Sequence, residues 1–242
     1  MKKHLGEEVG TLYGIGVGPG DPELITVKAV KVLKRVAVIF AAASTTNSHS
    51  LAEKTVSPYL KEGTAIVRLD FPMTRSRQKL TEAWQANAQK IVDAVRKGED
   101  VALITLGDPL TYSTFGYIMR TICEKDPDIP VQVIPGITSY QAASAAAGWV
   151  LAEGEESFSV VSGALGSEKL KEVIGHTDNV VILKVYRHYR EILDALSELD
   201  LTDKSVLISK CGLEDEEIVR DLKNEQQRVP PYLSLLLVKK RL

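Results

Sequence analysis

Apolar and polar positions along the chain switch between two periods, and the switching predicts a succession of strands and helices. Leu12–Val17 is a short apolar, glycine-bearing stretch that predicts a strand running into Gly18-Pro19-Gly20-Asp21-Pro22. Asp21 suits a helix cap and Pro22 its first turn, where a missing N–H costs nothing. Leu24, Val27, Val32 and Val36 then predict a helix with a broad apolar face. Further strands are predicted at Ala37–Ala41, Ala65–Leu69, Val101–Leu106, Val131–Ile134, Phe158–Val161, Val180–Val185 and Val206–Ser209, with Tyr232–Val238 last, after Pro230-Pro231. The strongest helical pattern is Lys79–Lys97, with Leu80, Trp84, Asn87, Ile91 and Val95 on one face and Gly98 as its stop. Helices are also predicted around Ile118–Ile122, in the alanine-rich stretch from Pro135-Gly136 to Gly148, and over Tyr189, Ile192, Leu196 and Leu199.

Strands alternating with helices imply α/β layers. A chain of 242 residues is long enough for two such sheets. The best boundary lies near Gly107–Thr114, giving expected domains of 1–112 and 113–242. Composition agrees with a globular chain, at 44% hydrophobic and 26% charged. Lysine and arginine number 30 against 32 aspartate and glutamate, a net charge of −2, so no general attraction to nucleic acid is built in. The apolar run Val36–Ala43 falls far short of the roughly 18 residues a membrane helix needs. Met1–Glu8 has no apolar stretch behind its lysines, which reads against a secretory signal. Cys123 and Cys211 form no C-x-x-C pair and read as two buried thiols in a reducing cytoplasm.

Three loops are candidates for chemistry. Gly14-x-Gly16-x-Gly18-Pro19-Gly20-Asp21 follows a strand and opens a helix, where backbone N–H groups approach a ligand closely. Pro19 and Asp21 stand where the dinucleotide fingerprint needs glycine, and no G-K-[ST] ending makes it a P-loop. Leu106-Gly107-Asp108-Pro109 lies beyond a strand's carboxyl end, where α/β sheets bind ligands; it reads equally as an Asp-Pro turn. Pro135-Gly136-Ile137-Thr138-Ser139 is a third strand-to-helix turn, with simple capping by Thr138 or Ser139 as its structural reading. The stretch Lys184-Val185-Tyr186-Arg187-His188-Tyr189-Arg190 suits a polyanion or a solvated helix start, and Glu214–Glu217 reads as a solvated face. His4, His49, His176 and His188 show no metal spacing, so no metal is expected, and no G-x-S-x-G elbow supports a hydrolase.

Taken in order, Gly16-Val17-Gly18-Pro19-Gly20-Asp21-Pro22, Leu106-Gly107-Asp108-Pro109 and Val133-Ile134-Pro135-Gly136-Ile137-Thr138-Ser139 resemble the tetrapyrrole (corrin/porphyrin) methylase family over nearly the whole chain. The resemblance implies two α/β domains, each with its own sheet and the active site in the cleft between them. It implies S-adenosyl-L-methionine as cofactor, S-adenosyl-L-homocysteine as product, a cytoplasmic homodimer, a small-molecule tetrapyrrole substrate, and no nucleic acid or membrane partner. Gly10–Leu24, Phe71-Pro72-Met73-Thr74, Thr105–Thr114, Leu151-Ala152-Glu153-Gly154 and Tyr232-Leu233-Ser234-Leu235 look like the branch that methylates carbon 20 of precorrin-2 or cobalt-precorrin-2 in cobalamin synthesis. Carried over position by position, the cofactor residues are Pro19, Leu106, Gly107, Asp108, Thr111, Thr138, Ser139, Val185, Gly212 and Leu213.

The chain departs from the family at Ala41, where uroporphyrinogen methylases carry an aspartate, at Leu106, often glycine, and at Val185, often methionine. A tetrapyrrole with a rim of carboxylates calls for cationic edges, so Arg75, Arg77, Arg187, His188 and Arg190 are candidate substrate residues. Ser113 and Thr114 join them, and Tyr112 is the candidate to orient the reacting carbon or relay a proton. Other readings share the loops: another tetrapyrrole methylase, an RNA- or protein-modifying methylase, or a non-catalytic nucleotide-binding module.

Overall fold

In the computed structural model, which describes residues 9–43, 51–72, 74 and 76–240, the apolar stretches of the first half become five strands. These are β1 (Leu12–Gly16), β2 (Val38–Ala43), β3 (Ala65–Asp70), β4 (Val101–Thr105) and β5 (Val131–Ile134). The helices between them are α1 (Val27–Leu33), α2 (Leu51–Val56), α3 (Arg77–Val95) and α4 (Phe115–Lys125). All strand pairs are parallel, in the order β3-β2-β4-β1-β5. Strand alternation sends successive side chains to opposite faces. Tyr13, Ile15, Ile39, Ala102 and Ile104 pack with Ala29, Val32 and Leu33 of α1 and Ala52 and Val56 of α2. Leu12, Phe40, Val101 and Leu103 pack instead with Ile91, Val92 and Val95 of α3 and Phe115, Ile118 and Ile122 of α4. Each fully buried valine, leucine, isoleucine or phenylalanine among them contributes roughly 1.5–3 kcal/mol.

The second half builds a mixed sheet. Its elements are α5 (Ser139–Ala147), β6 (Phe158–Ser162), α6 (Glu168–Ile174), β7 (Asn179–Leu183), α7 (Tyr189–Glu198), β8 (Ser205–Ser209), β9 (Glu217–Val219) and β10 (Ser234–Lys239). The order is β6-β7-β10-β8-β9, with β6 and β7 parallel and the other pairs antiparallel. Leu170 and Ile174 of α6 and Ile192, Leu193 and Leu196 of α7 pack on Ile182, Leu207 and Leu236 of the sheet.

Several expectations are corrected. The chain divides into Met1–Thr138 and Ser139–Leu242, not at 112/113. The reason is β5, which pairs with β1 along Leu12–Ile15 and so carries α4 into the first unit. The helix expected across Leu24–Val36 is two elements. Asp21 accepts from Glu23 N at 2.8 Å and caps a short 3-10 turn at Pro22–Leu24. Thr26 then caps α1 by accepting from Ala29 N at 3.2 Å, and Val27, in its first turn, stands 70% exposed. The acidic run Glu214–Glu217 is exposed at all four residues, as expected of a solvated face, and leads into β9, where Ile218 pairs with Ile208. Of the two cysteines, Cys211 is buried but Cys123 on α4 is exposed.

Candidate functional site

β1 continues through α1 to β2, whereas its neighbour β4 continues through α4 to β5, on the opposite side of β1. Adjacent parallel strands whose connections leave in opposite directions open a ligand crevice beyond their carboxyl ends. Gly16 and Thr105, the last residues of the two strands, are register partners there. Val17 N donates to Thr105 O at 3.0 Å, and Gly18 and Gly107 exchange backbone bonds of 3.2 and 2.6 Å. A Cβ on Gly16 would lie 2.6 Å from both Gly107 O and Gly136 N, and one on Gly136 would lie 2.2 Å from Gly107 O. Backbones this close exclude every side chain, so glycine at these positions is what lets the three loops touch.

Asp108 ties the loops together. Its Oδ1 accepts from Leu110 N at 2.9 Å and Thr111 Oγ1 at 3.2 Å, and its Oδ2 accepts from Gly136 N at 3.2 Å. A carboxylate offers about four acceptor positions, so most of this one is committed to the loops. Two residues that sequence reasoning missed hold the glycine loop from α2 and the turn after it. The Thr55 hydroxyl shares its hydrogen between Leu51 O at 2.9 Å and Gly20 O at 3.2 Å, and the Tyr59 hydroxyl donates to Pro22 O at 3.0 Å. Neither has a sequence signal, because each side chain meets its partner only through the fold.

The structure therefore gathers Pro19, Leu106, Gly107, Asp108 and Thr111 at one sheet edge. Tyr112 follows in the left-handed region at φ 52° and is exposed. Ser113 Oγ accepts from Phe115 N at 3.2 Å, and Thr114 is the N-cap of α4 without a side-chain cap bond. Thr138 is buried at the end of the turn after β5, and Ser139 opens α5 of the second unit. Arg77 is exposed at the start of α3. Arg75, His4 and His49 lie outside the described residues.

In the second unit β7 and β8 both run antiparallel to β10, so the segments after them emerge at one edge. Lys184, left-handed at φ 58°, precedes the turn Val185–Arg187, in which Val185 is fully buried. Lys210, at φ 54°, donates its N–H to Leu233 O at 2.7 Å and pairs with Asp215. Gly212 N donates to Glu216 Oε2 at 2.9 Å and Leu213 N to Lys210 O at 3.0 Å. Burial pushes the neighbouring Cys211 thiol up to about 12, with Glu216 adding to the shift. Arg187 Nε donates to the Tyr186 hydroxyl at 2.7 Å, and Tyr186 meets Tyr232 edge-on at 5.2 Å. His188 Nδ1 lies 3.3 Å from Glu191 Oε2, a carboxylate held below its usual range chiefly by the Ser167 N–H. Arg190 is exposed on the first turn of α7.

A signal common to both units is backbone strain. Among the described residues, non-glycine positive φ occurs at Tyr112, Lys184, Asp200 and Lys210. Tyr112 adjoins Thr111, Lys184 adjoins Val185, and Lys210 stands two residues before the Gly212-Leu213 pair. Left-handed non-glycine residues cost about 1–3 kcal/mol each and gather where a ligand is clamped.

Two α/β units, with glycine and Gly-Asp-Pro loops of the first joined at a topological switch point, define the class of α/β proteins that bind a ligand beyond the strands' carboxyl ends. The chain belongs to the tetrapyrrole (corrin/porphyrin) methylases, whose family model matches residues 11–225. It is 31% identical over 234 residues to the cobalt-precorrin-2 C(20)-methyltransferase of Salmonella typhimurium, covering 96% of this chain and 97% of that protein. It is 32% identical over 244 residues to the precorrin-2 C(20)-methyltransferase of a Sinorhizobium species, covering 96% of each. In fold it resembles a cobalt precorrin-4 methyltransferase, with TM-score 0.72 at 24% identity over 95% of this chain and 94% of the other. It also resembles the uroporphyrin-III C-methyltransferase of Thermus thermophilus, solved with S-adenosyl homocysteine, with TM-score 0.68 at 21% identity over 96% and 98%.

The family's cofactor is S-adenosyl-L-methionine. The residues at the first sheet's edge fit it: the Gly107 backbone, at φ 70°, has nothing within 4 Å of where a Cβ would stand, and the buried Thr105 hydroxyl beside it has no partner.

Proposed function

We propose that this chain transfers a methyl group from S-adenosyl-L-methionine to carbon 20 of precorrin-2 or cobalt-precorrin-2, in cobalamin synthesis. The observation that supports this reading most is the likeness, across 96% of the chain, to C(20)-methyltransferases named both with and without cobalt. When bound, the cofactor supplies a methyl group activated on a sulfonium. The substrate is an electron-rich carbon nucleophile, so the protein's work is to bring two molecules together in a dry, ordered setting. An activated serine or cysteine is not called for, and the buried, strongly basic Cys211 thiolate is unsuited to such a role.

In this reading Pro19, Leu106, Gly107, Thr111 and Thr138 bind the cofactor from the first unit, with Asp108 keeping their loops in register. Ser139, Val185, Gly212 and Leu213, in the second unit, are candidates to bind it as well. Gly212 does so through its carbonyl or Cα, since its N–H is held by Glu216. Arg187, His188 and Arg190 lie within four residues at one sheet edge and are candidates to bind the substrate's carboxylates, as are Arg75 and Arg77. Ser113, whose hydroxyl hydrogen remains available, and Thr114 orient the ring, and Tyr112 sets the reacting carbon or relays its proton. The protein acts as a cytoplasmic homodimer without nucleic acid or membrane partners.

The test is incubation with S-adenosyl-L-methionine and precorrin-2, with and without cobalt, following the tetrapyrrole's mass. A gain of one methyl, located at carbon 20 by NMR, is expected. Methylation at another carbon makes it a different tetrapyrrole methylase. Tight cofactor binding without turnover on either substrate makes it a nucleotide-binding module.

A further inference from the structure

Among the described residues, two buried side-chain oxygens have no hydrogen-bond partner, Thr105 Oγ1 and the Tyr189 hydroxyl. Their settings differ. Tyr189 belongs to the apolar core of the second unit, among Val185, Ile192 and Leu193. Thr105 is the final residue of β4, 6% exposed, at the switch point with Gly16 and directly before the Leu106-Gly107-Asp108 loop. By the alternation of β4 its side chain stands with Val101 and Leu103, on the side of the sheet that packs against α3 and α4.

The polar groups around Thr105 are otherwise committed. Its own carbonyl accepts from Val17 N, and Gly18 and Gly107 bond to each other. Asp108 accepts from Leu110, Thr111 and Gly136. A hydroxyl left unpaired in such a place costs its full desolvation, whereas valine would fill the same β-branched volume without that cost. The unmet bond sits where the sheet's topology places a ligand.

We infer that Thr105 Oγ1 is a cofactor-binding hydroxyl, hydrogen-bonded to a polar group of S-adenosyl-L-methionine seated at the carboxyl ends of β1 and β4. The inference rests on the reading of this edge as the cofactor site. It adds a ligand that neither the strand's apolar pattern nor the family's loops assign.

The test is calorimetric titration of the full chain with S-adenosyl-L-homocysteine and, separately, 5′-methylthioadenosine, for wild type, Thr105→Val and Thr105→Ser. Thr105→Val should raise the Kd for S-adenosyl-L-homocysteine about tenfold, equivalent to about 1.4 kcal/mol. Thr105→Ser should stay within about threefold of wild type. Without ligand, the valine variant should melt no lower than wild type, because the hydroxyl it loses has no partner there. A loss shared by both ligands places the bond on the nucleoside; a loss confined to S-adenosyl-L-homocysteine places it on the amino-acid part. Unchanged affinity in Thr105→Val overturns the inference. So does an equal loss in Thr105→Ser, or a lower ligand-free melting temperature in the valine variant. A wild-type chain that binds neither ligand overturns the cofactor-site reading itself.

Discussion

Asp108→Asn replaces one oxygen by an NH2 group and tests whether a carboxylate holds the first sheet's loops in register. The amide's remaining oxygen can go on accepting from Leu110 N and Thr111 Oγ1, now at 2.9 and 3.2 Å. Its NH2 then faces Gly136 N–H, donor against donor, where a 3.2 Å bond stands in the native chain. Flipping the amide only moves the conflict to Leu110 N. Losing a bond to a charged acceptor costs roughly 1.5–3 kcal/mol, and the half-buried position lets water recover part of it, so about 2 kcal/mol is expected. For a chain of this size that corresponds to a fall in Tm of about 4–8 °C. The fold survives, since the Gly18–Gly107 backbone pair is untouched. Loosening the tie between the Gly107–Thr111 and Pro135-Gly136 loops should also raise the Kd for S-adenosyl-L-homocysteine about tenfold. Differential scanning calorimetry and ligand titration on the same preparation read both numbers. A melt within about 1 °C of wild type together with unchanged affinity would refute the idea that this carboxylate is the pin.

Three further outcomes are expected. Gly136→Ala should destabilise by about 3 kcal/mol or more in urea unfolding, because its Cβ would meet Gly107 O and the Gly16 backbone, which are not flexible side-chain ends. At pH 8 a thiol reagent should modify the exposed Cys123 quickly, while Cys211, raised to about 12 by burial, reacts only after unfolding; two fast thiols would contradict this. In steady-state kinetics Arg187→Ala should raise KM far more than it lowers kcat, and Tyr112→Phe should lower kcat; wild-type constants in both would remove these residues from the substrate site.

Strands buried on both faces announce themselves as apolar runs, so β1, β4 and β8 stand within a residue or two of where the pattern puts them. α6 was beyond reach because only Leu170 and Ile174 are buried in its seven residues, too few to establish a period. The helix around Val27 was overdrawn for the opposite reason: Val27 continues an apolar spacing but sits one residue after the Thr26 cap, on the solvent side. The boundary was misplaced because a loop after a strand looks like a break, while pairing of β5 with β1 is long-range and leaves no local mark. Among the site residues, the glycines and Asp108 were visible through turn chemistry. Thr55, Tyr59 and Thr105 were not, since their value comes from a partner, or a missing partner, that only the folded chain defines.

The position of β4 in the first sheet carries a kinetic consequence. Leu12 of β1 finds its partners in Val101 and Val131, and β2 reaches the centre of the sheet only across Val101–Ile104. A nascent chain that has emerged as far as α3 can join β2 to β3, but β1 then has both edges open. Contacts this distant along the chain make folding slow and leave apolar strands exposed to aggregation in the meantime. Arrival of β4 closes one of those edges and β5 later closes the other, and the insertion of β4 brings Gly107 against Gly18. Filling the centre of the sheet and the first joining of the ligand loops are therefore one event on the ribosome's timetable, and a chain stalled before Val101 presents a chaperone with an unpaired β1 and no cofactor edge at all.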